Sequence, residues 1–588
     1  MTEPSDRSLD RRAFVRRMAA VTAAAIGGTT LRVPDAGAKD RTGLPGPGTP
    51  LPEPTGPLPA DPFDLSLAEA AFQIRAGRLS PVELLEACLE RIQRWDDVYL
   101  AFNTVAVEVA RARARELTGR EWSGPLHGIP LALKDNYRTA GVLTTANSYL
   151  FQDSVPRSDA EAWARLRRAG TVLVGKTQMG PLATSRATTP DGHNTTVNAW
   201  APGDATVSPG GSSSGSATAV AARLVPAATG TQTGGSITGP ANEQGLTGLK
   251  PTLGRVSLRG IIPLSYSRDH AGPLARDAMD AALVLQAMAG PDPGDPRTLG
   301  LPSVPDYVTA ATPVRRSDRP ALRWPTTIGV PRDYLMVDEP SVPDQEELEN
   351  LEPEDQRSLA RSMERDRIRA REVLGARRKM LEVFEELGAE IVPVEPPLDW
   401  RALTSWEFNN VRLPERSEAF LEELRRDVRG FGVSLSPWIN GLLLPGAEYL
   451  RGQRAKGVLL RRVLDDIFGR CDVVLQTRSL AFDMVGLPLI AFPIGFEEES
   501  IGSPRPLGAI LGGLPYAEDR LLSLVAAYQS VTDYHRRKPA VPDEVPPPGR
   551  LSLELARPPW GSPTAPGRGR LGLGRGRTDA EEVMRSGE

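Results

Sequence analysis

Cysteine and histidine are nearly missing from this chain, with two Cys and four His in 588 residues. So few thiols exclude a disulfide scaffold, and so few Cys and His argue against a multi-ligand metal centre. An excess of charge of one sign is lacking too: 70 Lys and Arg face 74 Asp and Glu, a formal net charge of −4. The overall field therefore offers no attraction to nucleic acid or to an anionic membrane. No apolar run approaches the ~20 residues of a membrane span, so no stable membrane anchor is expected. What remains is a 40% hydrophobic chain, apolar enough to exclude wholesale disorder. Its length allows three or four units of about 150 residues, or one large α/β domain with insertions.

The two ends read differently from the middle. Arg11-Arg12, Phe14 and Arg16-Arg17 precede an uncharged Ala/Gly/Thr-rich stretch from Met18 to Leu31, and Ala36-Gly37-Ala38 offers a small-x-small exit. That pattern predicts a signal peptide over 1–38 of the twin-arginine type, cleaved after Ala38, and hence an exported protein. Residues 39–62, dense in Pro and Gly, predict a linker, and the Pro/Gly/Arg-rich residues 540–588 a disordered tail. The domain is expected over 63–539, with 338–470 a charged, largely helical peripheral layer or cap near the substrate mouth. Ser80-Pro81-Val82-Glu83 has the form of a capped helix start. Cys88 shares a helical stripe with Leu85, Leu89, Ile92 and Trp95 and reads as a buried thiol; pairing with Cys471 stays open. Between 126 and 300, short apolar runs alternate with helical stretches and Gly-rich turns, the rhythm of an α/β sheet.

Two motif matches fail on context. Gly170–Thr177 reads GTVLVGKT, a formal phosphate loop, but a helical run precedes it and Val172, Leu173 and Val174 are strand formers. Gly567, Gly569 and Gly572 fit a dinucleotide fingerprint inside the low-complexity tail, with no strand or helix around them.

Two Gly/Ser clusters carry chemistry: Pro209–Ser216 (PGGSSSGS) and Thr231–Ile237 (TQTGGSI). Gly-Gly ahead of Ser lets backbone N–H groups converge as an oxyanion hole requires. A serine nucleophile needs a base. His127, His193, His270 and His535 show no Asp-partner signature. Lysine is scarce, at Lys39, Lys134, Lys176, Lys250, Lys379, Lys456 and Lys538. Lys134 ends the apolar run GIPLAL, and a lysine carried inside on such a strand favours its neutral form. The alternative is a snorkelling lysine or one ion-paired with the adjacent Asp135.

LHGIPLALKDN (126–136), SPGGSSSGSA (208–217), GTQTGGSI (230–237) and GLKPTLGRVSLRGIIPLSYSRDHAGPLAR (248–276) together resemble the amidase signature family. The resemblance extends from about Asp64 to Pro539 through GLPLIAFPIGF (486–496) and TDYHRRKP (532–539). It implies an α/β fold with a large, twisted, mostly parallel mixed sheet covered by helices on both faces. It also implies a Ser–cis-Ser–Lys triad with Ser236 as nucleophile, Ser212 as the bridging serine and Lys134 as base. The backbone of Thr233, Gly234, Gly235 and Ser236 would form the oxyanion hole, and no cofactor or metal enters. Ser212 and Ser236 stand 24 residues apart, the family's usual arrangement.

Several positions depart from that pattern. Gln232 and Thr238 replace a customary Asp and Arg that can bond to each other, as in some peptide-amidase-like members. Ser214 replaces a Gly and would strain the site if φ > 0 is required there. The segment from Thr477 to Phe482 is short. Specificity would lie with the helical cap and loops such as Thr144–Ser148. The leading expectation is an exported serine-type amidase acting on a small-molecule or peptide amide. Alternatives are an esterase or aryl acylamidase, the glutaminase-type subunit of a tRNA-dependent amidotransferase, and a catalytically degenerate ligand-binding envelope protein.

Overall fold

A computed structural model describes residues 51, 53–54, 56–336, 353–498 and 504–542. The expected signal peptide lies outside these residues, as do most of the linker and tail. The domain's first long helix shows how local sequence becomes structure. Ser80 caps Pro81–Tyr99: its hydroxyl accepts from Glu83 N at 3.1 Å while the Glu83 carboxylate accepts from Ser80 N at 2.7 Å. Two otherwise orphaned N–H groups are thereby satisfied. The helix buries Leu85, Cys88, Leu89, Ile92 and Trp95, the stripe expected from the sequence. Cys88 and Cys471 are both free and buried, and burial pushes each thiol up to about 12.

Among the described residues thirteen strands occur in chain order. They are β1 (Phe102–Val105), β2 (Pro130–Lys134), β3 (Val172–Thr177), β4 (Ala227–Gln232), β5 (Thr247–Lys250), β6 (His270–Ala275), β7 (Val314–Arg316), β8 (Arg319–Ala321), β9 (Thr327–Pro331), β10 (Glu390–Val394), β11 (Val473–Leu475), β12 (Leu489–Phe496) and β13 (Pro506–Gly513). Eleven form one sheet in the order β1-β3-β2-β4-β6-β5-β12-β13-β11-β9-β10, and β7 pairs with β8 separately.

The expectation of a mostly parallel sheet needs correction. Six of the ten neighbouring pairs are antiparallel and four are parallel. Parallel neighbours need a long crossover, which β2 and β3 have in the helix Glu161–Arg168. Between β5 and β6, and between β12 and β13, no helix intervenes among the described residues, and those pairs run antiparallel.

Side chains of the central strands alternate between two cores. Leu131, Leu133, Leu173 and Ala227 join one; Ala132, Val172, Val174 and Ala228 join the other. Both sheet faces are therefore dry, as continuous apolar strands demand. The same alternation sends Lys134 to the face of Ala132, which the helix Ser214–Ala221 covers.

The charged region divides. Helix Pro353–Glu386 lies on the sheet: Met380 and Phe384 are fully buried, and the Phe384 ring sits 5.2 Å from Tyr528 and 6.3 Å from Phe492. β10 then extends the sheet edge. Asn409 and Arg412, on the short helices Trp406–Asn409 and Arg412–Glu418, reach the site described below. A four-residue apolar spacing is enough to seat a charged helix on a core, and general charge density conceals it in the sequence. Phe384→Ala is expected to cost about 3–5 kcal/mol of unfolding free energy, read from the urea midpoint at unchanged slope. A helix outside the core would lose far less.

Candidate active site

Strands β2 and β4 run parallel, with Leu131 opposite Ala227 and Ala132 opposite Ala228. Their carboxyl ends carry Lys134 and the Thr231–Ser236 turn, where parallel α/β strands ordinarily place ligands. Lys134 is fully buried. Its Nζ lies 2.8 Å from Ser212 Oγ, 2.8 Å from Thr231 Oγ1 and 3.3 Å from Thr231 O. No carboxylate is within 4.0 Å of it among the described residues. The adjacent Asp135 instead pairs with Lys176 at 3.1 Å, which removes the ion-pair alternative for Lys134. Loss of solvation pushes the ammonium down to about 7, although Asp269 pulls the other way. A neutral amine has two N–H bonds and one lone pair. Both N–H bonds suit the two Thr231 oxygens, leaving the lone pair for the Ser212 hydroxyl.

The Gly211–Ser212 peptide is cis. Ser213, the next residue, donates its hydroxyl to Ser236 O at 2.5 Å. The structure thus brings Lys134 and Ser212 into direct contact and ties the Ser236 turn to the same serine cluster. Gly235 adopts φ +89°, a conformation a side chain would strain. The backbone N–H groups of Thr233, Gly234, Gly235 and Ser236 have no acceptor among the described residues, so they are free to meet a developing oxyanion.

Gln232 organises this turn. Its side-chain oxygen accepts from Ile237 N (2.8 Å), Thr238 N (2.9 Å) and Thr238 Oγ1 (3.2 Å), and its Nε2 donates to Asp483 at 2.8 Å. Gln232 and Thr238 therefore bond to each other without an Asp–Arg pair. The concern over Ser214 is also corrected. Ser214 opens the helix Ser214–Ala221 without positive φ; its hydroxyl donates to Gly210 O at 2.6 Å and accepts from Ala187 N at 2.9 Å. It fastens the cluster.

Residues not singled out in the sequence complete the surroundings. Asn136 donates to Thr231 Oγ1 at 3.1 Å. Thr233 hydrogen-bonds Asp269, whose other oxygen accepts from Leu264 N and Ser265 N. Arg268 donates to Thr233 O at 3.0 Å and to Asn409. The Arg268 and Arg412 guanidiniums each come within 3.8 Å of where a Cβ on Gly234 would stand. Asn136 and Asp269 lie within the quoted motifs; Asn409 and Arg412 carry no local signal. A cavity of about 210 Å³ adjoins Thr231, Thr233, Asn136 and Asp269 and is walled by Ala183, Ile261, Ile262 and Leu264.

Two further segments named from the sequence have defined places. Thr144–Ser148 is buried, with Thr145 bonded to Asp135 and Asn147 to Gln178; it supports the end of β2 and does not wall that cavity. Lys176 donates to Tyr137 O and Thr144 Oγ1 from inside β3, so GTVLVGKT is a core strand. Among the described residues no His hydrogen-bonds a serine of either Gly/Ser cluster, and no His/Cys/Asp/Glu group could hold a metal ion.

The buried lysine, the serine cluster and the N–H groups without an acceptor lie together on an eleven-stranded mixed sheet of the α/β class. The Amidase family model matches residues 83–476, and the chain belongs to that family, an enzyme of amide C–N hydrolysis. It is 34% identical over 532 residues to a glutamyl-tRNA(Gln) amidotransferase subunit from Roseiflexus sp. (strain RS-1), covering 82% of this chain and 99% of that protein. The native peptide amidase of Stenotrophomonas maltophilia is 28% identical, covering 81% of this chain and 98% of its own, with a TM-score of 0.64. The corresponding amidotransferase subunit of Thermotoga maritima, at 24% identity and TM-score 0.60 over 82% of this chain and 99% of its own, shares the fold.

Gln232→Leu leaves the Ile237 and Thr238 amides and the Asp483 carboxylate without their partner. A stability loss of about 1–3 kcal/mol is expected, measured by urea unfolding; a neutral result would mean the turn is held some other way.

Proposed function

We propose that this protein hydrolyses a carboxamide or substituted amide through an acyl-enzyme on Ser236. Ser236 Oγ attacks the amide carbonyl carbon while its proton passes to Ser212 Oγ, and the Ser212 proton passes to the lone pair of neutral Lys134. The carbonyl oxygen, now an oxyanion, is met by backbone N–H groups from Thr233 to Ser236, each donor being worth ~3 kcal/mol. The proton returns from Lys134 through Ser212 to the departing nitrogen as the C–N bond breaks. Water then attacks the ester by the same relay and releases the carboxylate. The observation that carries this reading is the buried Lys134 amine without a counter-ion, 2.8 Å from Ser212. An ester could enter the same site, and rates on matched esters and amides separate esterase from amidase.

The likeness to a peptide amidase supports a peptide amide or another small amide as substrate. A second reading has its own support in the 34% identity to amidotransferase subunits: ammonia released here would be used by a partner protein. The two differ in location. The twin-arginine-type sequence at Arg11–Arg17 supports export, and fractionation of the native protein separates an exported hydrolase from a subunit that co-purifies with a partner.

A fluorophosphonate probe should modify Ser236, read by peptide mass spectrometry. Ser236→Ala should abolish labelling and lower amide turnover by at least about 10³–10⁴-fold, with Lys134→Ala strongly impaired. Probe reaction absent from folded protein would instead favour a degenerate ligand-binding role. Because only neutral Lys134 can accept the proton, kcat/KM should rise as pH climbs through about 7 and level off above it. A profile flat from about pH 5 to 9 would remove Lys134 as the base.

A further inference from the structure

A second cavity, of about 300 Å³, lies where residues 59–69 meet residues 535–538. It shares no lining residue with the cavity beside Thr231 and Asp269. Arg223 and Arg276 line it although they are only 5% and 4% exposed. Neither has a carboxylate within 4.0 Å among the described residues. Their bonds go to backbone carbonyls: Arg276 to Asp64 O, and Arg223 to Arg536 O and Arg537 O. Arg223 Nε, Arg276 Nε and Arg276 Nη2 have no hydrogen-bond partner among the described residues.

Carboxylates line the cavity as well, each with a partner of its own. Asp64 holds Lys538 at 2.6 Å, Glu69 holds Arg536 at 3.7 Å, and Asp277 accepts from Asp280 N. Asp280 itself accepts from Leu67 N and Ala68 N. Arg223 is also set at φ +60° just after the helix Ser214–Ala221, where Gly or Asn is the usual occupant. A large cationic side chain at that backbone position points to a task for the side chain. His535 reports the local field: burial and the charges of Arg536 and Arg223 push its imidazole down to about 3.

Asp64, Asp277 and Asp280 act on these guanidiniums only through space, and a buried guanidinium with no carboxylate in contact is costly unless an anion meets it. We propose that this cavity binds a phosphate-type oxyanion, held by Arg223 and Arg276 from within and by Arg537 and Lys538 at the rim. Several fixed donors suit a tetrahedral oxyanion with many acceptors, and the volume accommodates a phosphomonoester as well as free phosphate. Bound there, the anion joins the beginning of the domain to its last segment, remote from the serine cluster.

Isothermal titration of the full chain at fixed ionic strength tests this, using inorganic phosphate, phenyl phosphate and acetate. One saturable site for phosphate or phenyl phosphate is expected, weakened at least tenfold in the exposed double variant Arg537→Gln/Lys538→Gln and in Arg276→Gln. Equal binding of the two phosphates identifies free oxyanion as the ligand; tighter phenyl phosphate identifies a phosphomonoester. The double variant should still unfold at the wild-type urea midpoint without phosphate, a readout independent of any serine reaction. Absence of saturable heat from both phosphates, acetate binding as tightly, or undiminished binding by the double variant would each overturn the assignment.

Discussion

Burying the Lys134 amine without a counter-ion is the constraint around which the rest of the site is arranged. An ammonium in that position would lose most of its hydration and touch only neutral oxygens in return, with Asp269 acting on it from beyond contact. The neutral amine loses little, since Thr231 supplies two acceptors and Ser212 a hydroxyl. This balance needs a strand that is dry on both faces, which explains why β2 sits third in an eleven-stranded sheet. It also needs Asp135 turned away, and Lys176 on β3 provides the partner that holds it there. One buried lysine thus has a carboxylate in contact while the other, Lys134, has only neutral oxygens in contact.

The turn after β4 follows a different logic. Four successive N–H groups from Thr233 to Ser236 have no acceptor among the described residues, and Gly234 in their midst is exposed. The residues on either side absorb the constraint. Gln232 takes the next two amides, Ser213 takes the Ser236 carbonyl, and Arg268 takes the Thr233 carbonyl. A neutral Gln serves where a charged pair is customary because its amide offers an acceptor to the turn and a donor to Asp483. The surrounding positive charge of Arg268 and Arg412 lies on the side of Gly234, favouring negative charge developing there.

How much is legible in the sequence varies with the range of the interaction. The capped helix at Ser80, the buried Cys88 stripe and the strand nature of Val172–Thr177 follow from contacts within a few residues, and the sequence pattern carries them. The mixture of antiparallel pairs does not show, because strand direction depends on where the chain returns. Helix Pro353–Glu386 reads as peripheral because its charge dominates its composition; in the fold Phe384 finds Phe492 and Tyr528, each more than a hundred residues away along the chain. Ser214 reads as strained because its backbone angle and its bonds to Gly210 and Ala187 are invisible in one dimension.

The sequence by itself determined the family, the serine clusters, and the apolar strand that delivers Lys134 to the interior, since each is a local pattern of residue types and spacings. Only the tertiary structure decided which carboxylate pairs with which lysine, which groups hold the Gln232 turn, and that Arg223 and Arg276 line one cavity with no carboxylate in contact with either among the described residues. Those outcomes depend on groups brought together across tens to hundreds of residues, and on burial, which converts a charge from an inexpensive surface feature into one that must be matched.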